Sequence, residues 1–231
     1  MTAVDMLLWA VLPYASLTLF VAGHVWRYRY GQFSWTSRST QLLESRWLAW
    51  GSNLFHYGAL AAIGGHVLGM LVPSWLTSAA GISEGAYHAL SAIAGSVAGL
   101  VCVAGFVILA VRRAYFRRVR RTTSVTDVAV YVLLAIVIGL GIGETLAVNA
   151  FGPGYDYRSS VATWFRGLFV LDPRPDLMAS VPVVYQVHAA SAWLLYALWP
   201  FSRLVHAWSL PLQYLGRPYI LYRSRYVATR R

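Results

Sequence analysis

The sequence predicts an all-α, polytopic membrane protein with a bundle of five transmembrane helices in one domain spanning residues 1–231. Hydrophobic residues make up 58% of the chain and charged residues only 12%, whereas a soluble domain carries about 25% charged residues. Five apolar stretches approach the roughly 20 residues that a helix needs to cross a bilayer. All 19 basic residues are arginines, and they gather between alternate stretches.

The predicted helices cover about residues 4–26, 48–72, 88–111, 126–148 and 181–206. The first does not read as a cleaved signal peptide, because Asp5 is the only charge before it and it ends in arginines rather than small residues. We therefore expect it to remain in the mature protein. A short interfacial helix is predicted around 159–169, in the long loop between the fourth and fifth helices.

The arginines predict the orientation of the bundle. All but three lie after the first, third and fifth helices, and the opposite side has only Arg158, Arg166 and Arg174. Because cytoplasmic loops are enriched in basic residues, the N-terminus is predicted outside and the tail 209–231 in the cytoplasm. The arginine-rich loop at 112–121 is typical of an anchor to lipid headgroups. No nucleic-acid recognition motif accompanies these arginines, so nucleic acid is not predicted as a partner.

The single cysteine, Cys102, limits the cofactors that the chain can bind. One cysteine excludes a disulfide within the chain, a cysteine-ligated iron–sulfur cluster and a C-x-x-C-H haem attachment. Cys102 lies in an apolar run and is predicted to be a small buried hydrophobic residue.

Four histidines fall within two of the predicted helices, His56 and His66 in the second and His188 and His206 in the fifth. An ionisable side chain at membrane depth is costly and marks a functional site. The two helices are predicted to be antiparallel, so depth pairs His66 with His188 near the outside and His56 with His206 near the cytoplasm.

The spacing of these histidines agrees only partly with the pairing. Eighteen residues are five helical turns, so His188 and His206 share one side of a continuous helix. They would then lie about 27 Å apart along the helix, whereas His56 and His66 lie about 15 Å apart. Helix tilt and unequal ligand offsets would have to absorb this difference.

Two histidine pairs at two depths favour two b-type haems, each held between two imidazoles with no open position for oxygen. Glycines on the second helix would let a flat macrocycle approach, although they also serve helix packing. They are Gly51, Gly58, Gly64, Gly65 and Gly69. A metal transporter or proton path stays open, but such proteins usually carry intramembrane carboxylates, and Asp127 and Glu144 are interpreted as helix ends.

The remaining candidates are less specific. His24 is predicted to be interfacial, and His88 opens the third helix at a depth close to His66, as a solvated helix start or a residue that handles substrate protons. Arg112 and Arg203 are predicted at the level of the inner haem. They could contact its propionates, although snorkelling arginines are equally common there.

The sequence resembles, almost from end to end, the gamma subunit of membrane-bound respiratory nitrate reductase, which is a di-haem cytochrome b. The resemblance rests on RYRYGQFSW at 27–35, SNLFHYG at 52–58, GHVLGM at 65–70 and PFSRLVHAWSLPLQYL at 200–215. It implies five membrane helices with the orientation predicted above. It also implies that His66 and His188 bind the outer haem and that His56 and His206 bind the inner haem.

The resemblance further implies quinol oxidation near the outer haem, at Gly65 and His66. Electrons would pass to an iron–sulfur beta subunit and a molybdenum-containing alpha subunit in the cytoplasm, at a bacterial or archaeal cell membrane. Family members can carry a lysine before the third helix that is implicated in quinol binding, but this chain has none. His88 is our candidate replacement. Related subunits of formate dehydrogenase, hydrogenase or heterodisulfide-type reductases remain alternatives.

Overall fold

The computed structural model describes residues 2–208 and Gly216, and within this part of the chain all regular structure is helical. Four helices are long and apolar enough to cross a membrane. They are α1 (Ala3–Gly31), α2 (Arg46–Leu71), α3 (Glu84–Tyr115) and α4 (Val125–Ala150). The predicted all-α, polytopic membrane class is confirmed. The predicted tail lies outside the described residues apart from Gly216.

Helices α3 and α4 extend beyond their apolar cores because polar caps mark their first turns. Ser83 accepts a hydrogen bond from the backbone N–H of Ala86, and Ser124 accepts one from Asp127. The Asp127 carboxylate in turn accepts from the backbone N–H of Ser124, which completes a capping box. These caps place the start of α3 four residues before the predicted boundary.

The fifth predicted helix is shorter than the sequence suggested. Three α-helices follow α4 within the described residues, namely α5 (Val161–Phe169), a single turn at Pro175–Ala179 and α6 (Val183–Leu198). The α-helical part of the fifth segment ends at Leu198. Pro200 lacks a backbone N–H to continue the helix, and Ser202 adopts an extended conformation. The chain continues as 3₁₀ turns at Trp199–Phe201 and Arg203–Trp208. The predicted continuous helix 181–206 is therefore interrupted, and the five-turn argument for His206 does not apply.

Arg27 holds this interruption against α1. Its guanidinium Nη1 donates to the carbonyl oxygens of Pro200 at 2.5 Å and Ser202 at 2.9 Å, and its side chain is buried. Gly23, one turn earlier, lies so close to Pro200 that a Cβ there would come within 2.8 Å of the proline ring. The break is therefore packed and hydrogen-bonded, and it fixes the segment that carries His206.

Helices α2 and α3 approach each other backbone to backbone through glycines. A Cβ on Gly58 would collide with the backbone of Cys102, and a Cβ on Gly105 would collide with the backbone of Phe55. Small residues at such crossings let membrane helices come close enough for extensive van der Waals contact. The contact fixes the register of the two antiparallel helices and the position of Phe55, the neighbour of His56.

The loops define two ends of the bundle. The arginine-rich end consists of the loops 32–45 and 116–124 and the segment after Leu198. The opposite end consists of the loops 72–83 and 151–182, where α5 lies in the position predicted for a short helix. Trp164 of α5 is fully buried, and its indole N–H donates to the Trp9 carbonyl at 2.8 Å. This contact ties the long loop to α1.

Candidate metal centres

The structure brings the four intramembrane histidines together as two pairs. The ring centroids of His66 and His188 lie 6.1 Å apart with an angle of 17° between the rings. Those of His56 and His206 lie 5.9 Å apart with an angle of 77°. Both separations match the distance expected between two imidazoles that bind one metal ion. An imidazole nitrogen binds a transition metal at about 2 Å and the ring centre lies about 1 Å behind it, so two imidazoles flanking one metal have centroids about 6 Å apart.

The protonation of three rings follows from their hydrogen bonds. In His56, His66 and His206, Nδ1 lies within hydrogen-bond distance of a backbone carbonyl oxygen, which can only accept. Nδ1 must therefore carry the proton, and in a neutral imidazole this leaves the lone pair on Nε2. The acceptors are the carbonyls of Ser52 at 2.7 Å, Ala62 at 2.8 Å and Arg203 at 2.6 Å. Such bonds orient a histidine that ligates a metal.

His188 is held differently, by a close approach of α4. A Cβ on Gly141 would lie 3.0 Å from Cε1 of the His188 ring, so glycine at this position makes room for the imidazole. The Nδ1 atom of His188 is buried and has no hydrogen-bond partner in the described part of the chain. The ring is therefore positioned by α4 rather than by its own helix.

The space around the pairs suits a flat group. Helices α2 and α6 are not closely packed against each other, although their histidines face across the gap. On α2, a Cβ on Gly65, the residue before His66, would meet no atom within 4 Å. Within the described residues, no group of three or more His, Cys, Asp or Glu side chains could hold a metal ion. Each pair therefore provides two imidazoles as protein ligands.

Comparison with known protein families bears on the resemblance to the gamma subunit. A sequence profile described as "Nitrate reductase gamma subunit" matches residues 5–225. The chain belongs to the nitrate reductase gamma subunit family. The predicted resemblance is therefore confirmed, and with the four long apolar helices it makes this gamma subunit family member a multi-pass membrane protein.

Named relatives cover nearly the whole chain. The nitrate reductase gamma chain of Bacillus subtilis is 43% identical over 219 residues, which are 95% of this chain and 98% of that protein. The respiratory nitrate reductase 1 gamma chain of Escherichia coli is 32% identical over 227 residues, 98% of this chain and 100% of that protein. The nitrate reductase-like protein NarX of Mycobacterium tuberculosis is 48% identical over 220 residues. This chain spans 34% of the length of NarX.

Arg112 of this gamma subunit family member serves the fold. Its Nε and Nη2 donate to Glu44 (2.5 Å to Oε2 and 2.6 Å to the carbonyl), while Nη1 and Nη2 donate to Thr40. Four of its five N–H groups are used in this way, and the side chain is 2% exposed. The guanidinium fastens the loop at 40–44 to α3, and the predicted propionate contact stays a prediction.

Glu44 is ionised within this contact. Its partial burial opposes the charge, but the backbone N–H groups of Trp47 and Leu48 and the Arg112 guanidinium outweigh that effect and hold the pKa of Glu44 below its usual value. The Glu44 carboxylate also satisfies N–H groups at the start of α2. The ion pair therefore joins the beginning of the helix that carries His56 to the end of α3.

Arg203 positions His206. Its guanidinium donates to the Asp127 carboxylate at 2.5 Å and 2.7 Å and to the carbonyls of Arg38 and Thr122. The carbonyl of Arg203 accepts the hydrogen bond from His206. Arg203 thus fixes the turn that presents His206 to α2, and its predicted propionate contact stays a prediction.

His88 lies further from the outer pair than predicted. The glycine contacts place Gly58 opposite Cys102 and Phe55 opposite Gly105, so His66 is level with residue 94 of α3. His88 is six residues further, about 9 Å beyond that level. The His88 ring lies against Gly154 of the long loop, and the side chain is exposed. His24 belongs to neither pair and packs among Phe20, Trp35 and Trp208.

Glu144 is the residue that the sequence interpretation missed. The sequence interpretation places it near the end of a helix predicted over 126–148, and α4 continues past it to Ala150 in wider π-helical turns. Its side chain is 8% exposed, and Oε1 has no hydrogen-bond partner in the described part of the chain. The signal was present as one acidic residue inside the apolar run 128–148. A buried intramembrane carboxyl group marks a functional site.

Proposed function

We propose that this chain is the quinol-oxidising, membrane-embedded subunit of a nitrate reductase and that it binds two b haems. The observation that carries the proposal is the pair of imidazole separations near 6 Å, at two levels of one bundle. His66 and His188 would hold the outer haem, and His56 and His206 the inner haem. Family membership supports nitrate reductase as the complex.

The available ligands and space fit a haem at each pair. A porphyrin supplies the in-plane ligands of iron, so the two imidazoles at a pair need only fill the axial positions. Bound haem supplies reversible one-electron chemistry, and bis-histidine ligation leaves no position for oxygen. The carbonyls that accept from Nδ1 direct three of the Nε2 lone pairs into the gap, and Gly65 beside His66 leaves room for a flat ring.

The two levels support electron transfer across the membrane. His56 and His66 are ten residues apart on α2, which corresponds to about 15 Å along the helix. The arginine-rich end faces the cytoplasm by the positive-inside rule. Electrons would therefore enter at the His66–His188 pair and leave near His206, towards an iron–sulfur beta subunit and a molybdenum-containing alpha subunit that reduces nitrate.

We propose that quinol binds beside the outer pair, near Gly65 and His66. Gly65 leaves open space on α2 next to His66, which would admit a flat quinol ring. His88 would lie at the mouth of this site, about 9 Å beyond His66 along the helices, and could donate a hydrogen bond to a quinone oxygen. Related complexes with formate dehydrogenase or hydrogenase subunits would use the same ligands, but the family match favours nitrate reductase.

A proton path without redox chemistry is the second candidate function, because Glu144 places a carboxyl group inside the bundle. The two functions make different predictions for the purified protein. A haem-binding subunit is coloured and is reduced by quinol, whereas a transporter is neither.

The test uses membranes that contain the chain with its partner subunits. Addition of a short-chain quinol should reduce the haem, seen by optical absorbance, and nitrate should then reoxidise it. Replacing His88 with alanine should raise the quinol KM by up to about tenfold, which corresponds to one lost hydrogen bond. His88→Gln keeps an N–H donor and should recover part of that loss. Unchanged quinol kinetics and inhibitor binding in His88→Ala would remove His88 from the site, and failure of quinol to reduce any haem would refute the proposed function.

A further inference from the structure

Glu144 is a buried carboxyl group that the ligation of haem does not use. Its side chain is 8% exposed on α4, and Oε1 has no hydrogen-bond partner in the described part of the chain. Burying an acid without a partner is costly, whether it is charged or neutral. A residue that bears this cost in a membrane helix is expected to have a function.

The position of Glu144 connects it to the outer histidine pair. Gly141, against which the His188 ring packs, lies one turn before Glu144 on α4. Tyr185 lies one turn before His188 on α6, and the same Asn149 amide donates to its hydroxyl and to the Glu144 carbonyl. Glu144 therefore lies one turn beyond the His66–His188 pair, in the direction of the opposite end of the bundle.

Polar groups continue from Glu144 to the loop at that end. The Asn149 amide donates to the Glu144 carbonyl at 3.1 Å and to the Tyr185 hydroxyl at 2.9 Å. The Asn149 side-chain oxygen accepts from the backbone N–H of Tyr155 at 3.2 Å, and the Tyr155 hydroxyl lies 2.9 Å from Ser160 Oγ. These contacts form a polar region between the backbone of Glu144 and the surface loop.

The titratable groups around Glu144 come from two sides. Helix α6 contributes Tyr185 and His188, and the long loop contributes Tyr155, whose ring lies 5.1 Å from that of Tyr185. Helix α3 packs against this part of α4 through Gly95 and Gly99, and its residues 91–101 include no titratable side chain. No arginine lies among these groups, so Glu144 is free to exchange protons instead of being held in an ion pair.

We propose that Glu144 is the base that takes the protons released when quinol is oxidised beside the His66–His188 pair. This rests on the proposed function. Each quinol O–H bond breaks, its proton joins a carboxylate oxygen of Glu144, and two electrons leave singly to ferric haem, so that quinol becomes quinone. The resulting carboxylic acid releases its proton past Tyr185, Asn149 and Tyr155 to the water at the opposite end, and then takes the second proton.

The experiment uses the assembled complex in membranes and compares Glu144→Gln, Glu144→Asp and the control Asp176→Asn. Asp176 is an exposed acid in the same loop region, paired with Arg174 at the surface. Glutamine keeps the size of Glu144 but cannot take a proton, so haem reduction by quinol should slow about 100-fold. Haem content and reduction by dithionite should stay unchanged. Glu144→Asp should recover part of the rate, and Asp176→Asn should match the native protein.

A second readout does not depend on turnover. The infrared difference spectrum between oxidised and quinol-reduced protein should contain the C=O stretch of a protonated carboxylic acid, and Glu144→Gln should lack it. Native quinol rates in Glu144→Gln, or an unchanged carboxylic acid band, would overturn the proposal. Failure of quinol to reduce the native protein would instead refute the proposed function, so the two failures are distinguishable. If Glu144→Gln loses haem, Glu144→Asp becomes the deciding variant. Native quinol rates and an unchanged carboxylic acid band in Glu144→Asp would then overturn the proposal. Slowed quinol oxidation with a shifted band would support it.

Discussion

Replacing His66 with alanine is expected to remove one of two haems and to abolish nitrate reduction driven by quinol. His188 would remain as a single axial ligand, packed against Gly141, and a b-type haem has no covalent attachment to retain it when one of its two protein ligands is lost. The inner pair would be intact, because His56 and His206 are oriented by the carbonyls of Ser52 and Arg203. Haem per chain and the quinol-reduced optical spectrum measure the result.

Two further variants serve as controls for this result. His56→Ala should remove the other haem, with a different spectral component lost, while quinol still reduces the outer one. His24→Ala removes a histidine that packs against Phe20 outside both pairs, and it should keep both haems. Full haem content in His66→Ala would contradict the assignment of the outer pair.

Replacing Gly105 with alanine is expected to separate α2 from α3 and to displace the inner haem. The added Cβ would collide with the backbone nitrogen of Phe55 and would lie 2.8 Å from the Gly51 carbonyl oxygen. Backbone atoms cannot move aside as a side chain can. The free energy of unfolding should therefore fall by at least about 3 kcal/mol, which is the upper end of the typical cost of overpacking a core. Because Phe55 precedes His56, the shift would also move the inner ligand. Thermal unfolding and haem content measure the two effects.

Gly85 offers a matched control on the same helix. A Cβ at Gly85 meets no atom within 4 Å, and alanine stabilises a helix by about 0.5–1 kcal/mol relative to glycine. Gly85→Ala should therefore unfold at the native temperature or slightly above it, with both haems in place. Equal behaviour of Gly105→Ala and Gly85→Ala would contradict the close packing of α2 and α3.

The membrane class and the proximity of the histidines could be predicted from the sequence. The first depends on the hydropathy of each segment, and the second depends on the opposite directions of two helices. Hydropathy identified the long helices, since each must cover a bilayer with its own residues. Opposite chain directions were enough to match His66 with His188 and His56 with His206 by depth. The structure brings the same residues together.

Other features depend on contacts that the sequence does not reveal. The interruption after Leu198 relies on Arg27, which lies more than 170 residues away along the chain. Arg112 is engaged by Glu44 of a distant loop, so its location at a helix end said little about its role. The burial of Glu144 depends on the packing of α3 and α6 against α4, which the position of one acid near the end of a predicted helix does not reveal.

The electron path that we propose would give the two ends of the bundle separate tasks. At the arginine-rich end, Asp127 and Arg203 connect the turn bearing His206 to the loops at 38 and 122. A partner subunit that binds these loops would therefore contact the structure that positions the inner ligand. At the opposite end, Glu144 and the polar groups beyond it lie between the outer histidine pair and the surface loop.

The dithionite-reduced minus oxidised optical spectrum of the purified complex, with haem quantified per chain, tests the two-haem proposal most directly. We predict two b-type haems per copy of this chain, both low-spin because each iron has two imidazole ligands. Each histidine pair should account for one of them when its members are replaced. A correctly inserted protein without haem, or with a single haem that survives alanine at both His66 and His56, would contradict the proposal.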